Sequence, residues 1–296
     1  MPIRNSKIKY DIYSGAGNDF VMFDNRDNKI PFEKQKAFTK RICREKFIDI
    51  DGVIFLEKPK NFQNRMRMNY YNRDGSYGAM CGNGARCISQ FAADKKIIRE
   101  KEFTFEAVDK IYKAVLLGNN IVKIDFPPPK EYKLKFKTLL GTGNKKIELN
   151  TNWMSVGSEH IIIFIDNIEN KKALKISSLD EARINEWGKL LREHKDFKPK
   201  GANVNFVQII GENELQVRTY ERGVERETLA CGTGIISSAV TAAILKKAIP
   251  PVKILSQSGD RLTVNFNIDR NKITKLSLQG PAKKIGHGEL GIIFLN

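Results

Sequence analysis

Two stretches of the chain decide the fold: CGNGARCISQFAADKK, residues 81 to 96, and CGTGIISSAVTAAILKK, residues 231 to 247. Each begins with Cys-Gly-x-Gly and continues with apolar residues at helical spacing. Each ends in a pair of lysines, which suits the negative end of a helix dipole. The recurrence predicts a duplicated module in which Cys81 and Cys231 each stand immediately before a helix.

The sequence before each stretch repeats as well. The segment from Met66 to Tyr71 leads into the first through a polar loop, and the segment from Leu215 to Tyr220 leads into the second. Both read as strands, because short apolar runs bounded by Gly, Asn and Asp are typical of strands. The same pattern predicts further strands at Ile8 to Tyr13, Val53 to Leu56, Ile111 to Leu117, Ile121 to Phe126, Trp153 to Val156, His160 to Ile165, Val204 to Ile210, Leu262 to Ile268 and Ile273 to Leu278.

Helices are predicted from Phe32 to Arg44 and near Leu179 to Arg192. The fold class is therefore mixed α and β. The chain has 296 residues, about twice the ~150 residues typical of one domain. The Pro127-Pro128-Pro129 run can continue neither a strand nor a helix, so we expect a domain boundary near residue 130.

Composition excludes several classes of protein. The amino-terminal residues show no apolar signal-type segment and no apolar run approaches the ~20 residues of a membrane span, so a soluble cytoplasmic protein is expected. The net charge of +17 is spread along the chain rather than clustered, which argues against a nucleic-acid partner. No Cys-x-x-Cys pair occurs and the three histidines are scattered, so no metal site is expected and the four cysteines are interpreted as free thiols.

The position of Cys81 and Cys231 points to chemistry. A cysteine at a helix start faces unpaired N–H groups and the positive dipole end, which can lower a thiol pKa from ~8.5 to between ~3.5 and 7.5. The adjacent glycines leave room for a substrate carboxylate at the N–H groups of the first helical turn. Those N–H groups belong to Gly82, Asn83, Gly232 and Thr233.

Two such cysteines, one in each half, suit a symmetrical reaction on one small molecule. Inversion of a stereocentre removes an α-proton from one face and returns a proton to the other, which needs a thiolate and a thiol on opposite sides. The N–H groups could stabilise the carbanion without a cofactor. Cys43 and Cys87 are interpreted as buried core thiols.

Other functions fit a cysteine pair. A proline-type or hydroxyproline-type racemase would share the two cysteines. A thiol-disulfide redox protein and a non-catalytic binding protein for acidic amino acids are alternatives from other classes. Of these, only the racemase exchanges an α-proton.

Five motifs together resemble diaminopimelate epimerase: GAGNDF at residues 15–20, DGS at 74–76, CGNGARC at 81–87, ERG at 221–223 and ACGTG at 230–234. The resemblance spans most of the chain. It implies two pseudo-symmetric α/β domains, each a sheet rolled around a central helix. The domains would be residues 1–129 with 279–296, which carry Cys81, and residues 130–278, which carry Cys231; the final strand, Ile292 to Leu295, would return to the first.

The resemblance also implies the activity: epimerisation of LL-2,6-diaminopimelate to the meso form, in lysine and cell-wall precursor biosynthesis, by a homodimer without a cofactor. Asn18, Asn72, Asn203, Glu221 and Arg222 would hold the substrate. Ser158 belongs to this group, since Ser158-Glu159-His160 stands where many members have Asn-Pro-His. The chain also differs from many members by one additional residue between Arg222 and Cys231, and by Gly52 and Arg73.

Overall fold

The computed structural model describes residues 7–141, 146–270, 272–291 and 294, and it divides into two compact units. Unit 1 comprises Met1–Asp125 and Gly280–Asn296, and unit 2 comprises Phe126–Gln279. The division into domains at residues 129 and 279 stays a prediction. No helix in the described ranges is both long enough and apolar enough to cross a membrane.

Unit 1 is a sheet around a helix. Its elements are β1 Ile8–Gly15, β2 Asn18–Asp24, α1 Phe32–Glu45, β3 Gly52–Glu57, β4 Met66–Asn72, α2 Gly82–Asp94, β5 Glu102–Ala107, β6 Lys110–Gly118 and β7 Ile121–Asp125. A last strand, which we number β17, runs from Lys283 to Leu290 and pairs with β1. The helix α2 contacts β1, β2, β3, β4, β6, β7 and β17, and most of its residues are buried.

Unit 2 repeats this plan. Its elements are β8 Glu131–Leu140, β9 Ile147–Ser155, β10 Glu159–Phe164, α3 Ile168–Leu174, α4 Ile184–Arg192, β11 Asn203–Gly211, β12 Glu214–Glu221, β13 Arg226–Thr228, α5 Gly232–Ile244, β14 Val252–Ser256, β15 Arg261–Asp269 and β16 Lys272–Pro281. The end of β16 carries the chain into unit 1. The helix α5 contacts β9, β10, β11, β12, β14 and β15.

Strand pairing shows that the two units share one topology. Following β17, β1, β2, β3, β4, β5, β6 and β7, successive pairs are antiparallel, antiparallel, parallel, antiparallel, parallel, antiparallel and antiparallel. The same sequence of directions runs through β8, β9, β10, β11, β12, β14, β15 and β16. The expected mixed α/β fold with a duplicated module is confirmed.

Local expectations were met unevenly. The helix expected from Phe32 to Arg44 is α1, with Phe38 and Ile42 buried in the core of unit 1. The helical stretch expected near Leu179 to Arg192 is present in two pieces, a 3₁₀ turn over Leu179–Glu181 and the helix α4, separated at the extended Ala182. The strand expected at Ile292 to Leu295 lies largely outside the described residues.

The sequence suggested that the lysine pairs lie in the last turns of the two central helices. In the structure they lie beyond those turns. The helix α2 ends at Asp94 with Lys95 as its C-cap, and α5 ends at Ile244 before both of its lysines. Lys96 and Lys246 instead adopt left-handed φ angles of 57° and 56°. The two helices therefore end in the same way, with a left-handed lysine where glycine is usual.

Candidate active site

Cys81 is the N-cap of α2. Its backbone is extended, with φ −101° and ψ 113°, and its half-buried Sγ accepts a hydrogen bond from the N–H of Gly84 at 3.4 Å. The sulfur therefore takes the place that a serine or aspartate oxygen takes in ordinary N-caps. An N–H donor and the helix dipole both favour the thiolate over the thiol.

Asn83, two residues after Cys81, is buried, and both the oxygen and the nitrogen of its side-chain amide are hydrogen-bonded. Its Oδ1 accepts from Arg86 Nη2 at 2.9 Å, and its Nδ2 donates to Asn18 Oδ1 at 2.5 Å. Arg86 is fully buried and also donates to the carbonyl oxygens of Gly82 and Pro281. These bonds fix the orientation of the Asn18 amide beside the start of α2.

Asn72 lies at the end of β4, opposite Gly52 in the β3–β4 ladder. Its Nδ2 donates to Ser76 Oγ at 2.9 Å, within the polar turn that leads toward Cys81. A Cβ on Gly52 would collide with the backbone carbonyl oxygen of Tyr71 and would lie 2.6 Å from the ring of Tyr70. The neighbouring strand thus leaves no room for a side chain at position 52, which explains why this chain has glycine there.

Cys231 is the N-cap of α5, with φ −113° and ψ 109°, and is 7% exposed. Its Sγ lies 3.6 Å from the hydroxyl oxygen of Thr233. Thr233 Oγ1 also lies 2.9 Å from His160 Nε2 and 3.1 Å from Ser158 Oγ. Ser158 Oγ is in turn 2.9 Å from His160 Nε2, so the three groups form a triangle beside the thiol.

His160 is completely buried, and burial together with the nearby charge of Arg222 lowers its pKa to about 3, against the opposing hydrogen bond from Asn205. The imidazole is therefore neutral at physiological pH. Asn205 Nδ2 lies 3.1 Å from His160 Nδ1 and donates to the carbonyl of Ile161 at 3.0 Å. Asn205 Oδ1 accepts from Thr219 Oγ1 at 2.9 Å.

The remaining predicted substrate residues of unit 2 lie at the strand ends beside this triangle. Asn203 begins β11 and accepts from the N–H of Arg222, and its Nδ2 donates to the carbonyl of Glu159. Arg222 Nη1 lies 2.9 Å from Glu159 Oε2 and donates to the carbonyl of Gly201. Glu221 ends β12 and accepts from Thr228 Oγ1 at 3.0 Å.

Contacts thus join several of the predicted site residues within each unit. Asn18 bonds to Asn83 at the start of α2, beside Cys81, whereas Asn72 bonds within its own turn. In unit 2, Thr233, Ser158, Asn203 and Arg222 are linked beside Cys231, and Glu221 precedes Arg222 at the end of β12. Gly82 and Asn83 of α2, like Gly232 and Thr233 of α5, occupy the first helical turn, where the helix itself supplies no acceptor for their N–H groups. The roles of these residues stay predictions.

Cys43 and Cys87 are both buried, and neither begins a helix. Burial raises the pKa of Cys43 to about 11, with Arg73 opposing, and burial also raises the pKa of Cys87. Both groups are therefore thiols at neutral pH and weak nucleophiles. Among the described residues, no three His, Cys, Asp or Glu side chains are grouped as metal ligands.

Sequence reasoning missed four polar residues of these clusters: Arg86, His160, Asn205 and Thr219. Asn203 and Asn205 alternate within the apolar strand NVNFV, and His160 opens the apolar run HIIIF. A polar residue at a position that the strand pattern assigns to the core must have a buried partner. That signal could have identified His160 and Asn205.

Comparison with known proteins gives a consistent result. The family model described as diaminopimelate epimerase matches residues 10–113 and 152–285. The diaminopimelate epimerase of Aquifex aeolicus (strain VF5) is 36% identical over 287 residues, covering 93% of this chain and 95% of that protein. The diaminopimelate epimerase of Methanocella arvoryzae is 35% identical, covering 98% of this chain and 99% of that protein.

Solved structures show the same fold at low sequence identity. A phenazine biosynthesis protein of the PhzF family from Bacillus anthracis has a TM-score of 0.70 at 14% identity, covering 96% of this chain and 99% of that one. A hydroxyproline epimerase from Agrobacterium vitis, with bound trans-4-hydroxy-L-proline, has a TM-score of 0.69 at 14% identity, covering 99% and 94%. At this identity the likeness concerns the fold alone.

Proposed function

The chain belongs to the diaminopimelate epimerase family, and we propose that it converts LL-2,6-diaminopimelate to meso-diaminopimelate without a cofactor. The observation that supports this most strongly is the repeated placement of a cysteine at the N-cap of the central helix, once in each unit. One such cysteine would suit many reactions. Two equivalent ones suit a reaction that needs the same group on two faces of one carbon.

In the proposed reaction Cys81 and Cys231 are the catalytic residues. One, as thiolate, takes the α-proton and becomes a thiol. The electron pair left on the α-carbon delocalises into the substrate carboxylate, and the other cysteine, as thiol, returns its own proton to the opposite face and becomes a thiolate. The reverse reaction exchanges the two roles, so protons and charge balance in both directions.

The N–H groups of Gly82, Asn83, Gly232 and Thr233 would stabilise the charge that develops on this carboxylate. Their helix N-termini carry partial positive charge, and such preorganised donors can supply several kcal/mol of transition-state stabilisation. The amides of Asn18, Asn72 and Asn203, the hydroxyl of Ser158, and the Glu221–Arg222 pair would hold the distal amino and carboxylate groups. These contacts would select a diamino diacid over a monocarboxylate.

The direct test offers LL-diaminopimelate, L-proline and trans-4-hydroxy-L-proline separately to the reduced protein and follows optical rotation, with chiral chromatography of the products. The proposal expects meso-diaminopimelate from the first substrate and no inversion of the other two. Inversion of a proline with no action on diaminopimelate would assign a different racemase. No inversion of any substrate would favour a binding or redox protein.

Membership of the family also suggests where the protein acts and how it assembles. Meso-diaminopimelate serves lysine and cell-wall precursor biosynthesis, so we place the protein in the cytoplasm. As implied by the family resemblance, we expect a homodimer. Sedimentation of the purified protein measures the second point: the 33.7 kDa chain would sediment at twice its mass. Sedimentation at the mass of a single chain would contradict it.

A further inference from the structure

Glu159 lies among the proposed substrate residues of unit 2 but has no part in the proposed reaction. It begins β10, and its side chain is 27% exposed. Its Oε2 lies 2.9 Å from Nη1 of Arg222. An acidic side chain beside an arginine that is to bind a carboxylate needs an explanation, because two carboxylates attract the same cation and repel each other.

The hydrogen bonds of Arg222 show which part of its guanidinium Glu159 uses. Nη1 donates to Glu159 Oε2 and to the carbonyl oxygen of Gly201, both at 2.9 Å, so both of its protons are engaged. Within the described residues, Nε and Nη2 of Arg222 have no hydrogen-bond partner. The guanidinium therefore keeps three N–H donors, one on Nε and two on Nη2.

Another arginine of unit 2 shows what this edge of a guanidinium binds. Nε and Nη2 of Arg218 lie 2.7 and 2.8 Å from the two carboxylate oxygens of Glu227. Such a bidentate pair is the strong form of arginine–carboxylate recognition. On Arg222 neither nitrogen is buried, and the side chain is 28% exposed. The same edge of Arg222 is therefore open to a carboxylate of a ligand.

The backbones of the two paired residues are also tied together. Asn203 Oδ1 accepts from the N–H of Arg222 at 2.9 Å, and Asn203 Nδ2 donates to the carbonyl oxygen of Glu159 at 3.1 Å. Arg222 is thus held at its backbone by Asn203 and at Nη1 by Glu159 and Gly201. What remains free is the edge formed by Nε and Nη2.

We propose that Glu159 is a positioning residue, which holds Arg222 by Nη1 so that Nε and Nη2 form a ready-made fork for the distal carboxylate of the substrate. An arginine side chain has several rotatable bonds, and ordering them on binding lowers affinity. A guanidinium that is held beforehand loses less of this freedom, so the ligand binds more tightly. The identity of the ligand rests on the proposed function.

The equivalent arginine of unit 1 is not held in this way. Arg73 and Arg222 each follow, by two residues, a tyrosine at equivalent rungs of the two ladders, Tyr71 and Tyr220. Arg73 donates to the carbonyl oxygen of Ile48 and forms no ion pair with the described residues. Positioning by a glutamate is therefore specific to unit 2, which suits recognition of a carboxylate at one end of the ligand.

The test compares LL-diaminopimelate with L-lysine, which lacks the distal carboxylate. Titration calorimetry gives both Kd values in full-length Cys81→Ala protein, which prevents turnover. Adding Glu159→Ala should weaken binding of diaminopimelate about tenfold, as for loss of one hydrogen bond to a charged group. Binding of L-lysine should change by less than about twofold, because no carboxylate reaches the fork. Glu159→Gln, whose amide oxygen accepts from Nη1, should restore the affinity.

Turnover separates a positioning role from a structural one. With Cys81 intact, Glu159→Ala should raise KM for diaminopimelate about tenfold and change kcat by less than about twofold, because the lost interaction holds substrate and transition state alike. In Arg222→Lys, which has no fork, adding Glu159→Ala should cause little further loss of affinity. Glu186→Ala is the matched control: it removes an exposed ion pair with Arg183 in the same unit and should change neither Kd.

Three results would overturn the positioning role. They are tighter binding of diaminopimelate in Glu159→Ala, equal losses for diaminopimelate and L-lysine, and a full tenfold loss in the Arg222→Lys background. Failure of the proposed function is distinguishable from these. If wild type does not epimerise diaminopimelate but Glu159→Ala weakens its binding as expected, only the proposed function fails. If the Cys81→Ala protein binds no diaminopimelate, both fail.

Discussion

The two units have the same strand pairing but differ in the polarity of three strand residues. At three equivalent positions, unit 1 has apolar or aromatic side chains and unit 2 has hydrogen-bonded polar ones. The sets are Phe20, Ile54 and Tyr70 in unit 1 and His160, Asn205 and Thr219 in unit 2.

Two independent observations establish that the positions are equivalent. In the parallel ladders Phe20 pairs with Gly52 and His160 with Asn203, and the strands that follow pair Ile54 with Tyr70 and Asn205 with Thr219. Furthermore, a Cβ on the second helical glycine would meet Ile54 in unit 1 and Asn205 in unit 2.

The comparison teaches that one backbone plan can surround its N-cap cysteine in two ways. In unit 1 a backbone N–H donates to the sulfur, and Phe20 and Ile54 are buried apolar residues. In unit 2 a hydroxyl oxygen lies 3.6 Å from the sulfur and belongs to a chain of buried polar groups. Burial of a polar group lowers stability unless the group is hydrogen-bonded. We therefore expect substitutions at these positions to destabilise unit 2 more than unit 1.

Despite this difference, loss of either cysteine should have the same and largest effect. Cys81→Ala and Cys231→Ala should each lower kcat by about 10²–10⁴-fold, because each removes one of the two proton-transfer groups. Circular dichroism of each variant checks that folding is intact. Near wild-type epimerisation by either variant would show that the halves are not equivalent in the reaction.

The second prediction is that His160 of unit 2 makes the free energy of unfolding depend on pH, whereas the equivalent residue of unit 1 does not. The pKa of His160 is lowered to about 3 in the folded protein, mainly by burial, from the ordinary histidine value of 6.5. The unfolded chain therefore binds more protons between these values, and stability falls as the pH is lowered through them. Relative to His160→Gln, wild type should lose about 2 kcal/mol of unfolding free energy by pH 5. Urea unfolding at pH 7.5, 6 and 5 measures this.

The control for that experiment is Phe20→Leu, the equivalent change in unit 1. It should lower stability by the same amount at every pH, because no titratable group occupies that position. If the unfolding free energies of wild type and His160→Gln change with pH in parallel, His160 is not held neutral by the fold.

Much of the fold could be predicted from the sequence. The strands around Met66–Asn72 and Glu214–Glu221 and the N-cap cysteines follow from apolar alternation and from Cys-Gly-x-Gly, which are local signals. The strand Lys283–Leu290 was missed because its glycines and charges hide any alternation. The interruption at Ala182 was missed because Arg218, distant in sequence, donates to the carbonyls of Leu179 and Ala182.

The candidate active site likewise has one part that the sequence predicts and one part that it does not. The cysteines and the first-turn glycines are adjacent in sequence, so their arrangement was predictable. The triangle of Ser158, His160 and Thr233 joins residues more than 70 positions apart, and Asn205, whose amide contacts His160, lies on the neighbouring strand β11. Such a network requires the strand register, which no local pattern supplies.

The smallest expected effect is a matched pair of glycine changes. In Gly84→Ala the new Cβ meets the flexible tip of Ile54 at 2.7 Å, and in Gly234→Ala it meets the amide oxygen of Asn205, which is fixed by its bonds. Gly84→Ala should cost at most about 1 kcal/mol, and Gly234→Ala about 1–2 kcal/mol more, since a buried polar contact is disturbed. Urea midpoints of the two variants give the difference, and equal midpoints would contradict the contrast drawn between the halves.

The central claim is that two thiols act from opposite sides of one carbon, and its most direct test is the reaction of LL-diaminopimelate in deuterium oxide. Early in the reaction, the account predicts meso product with deuterium at the inverted carbon and remaining substrate that is still unlabelled, because the proton is returned by a different group from the one that removed it. Product that keeps the original hydrogen, or substrate that exchanges faster than product forms, would contradict the two-thiol mechanism.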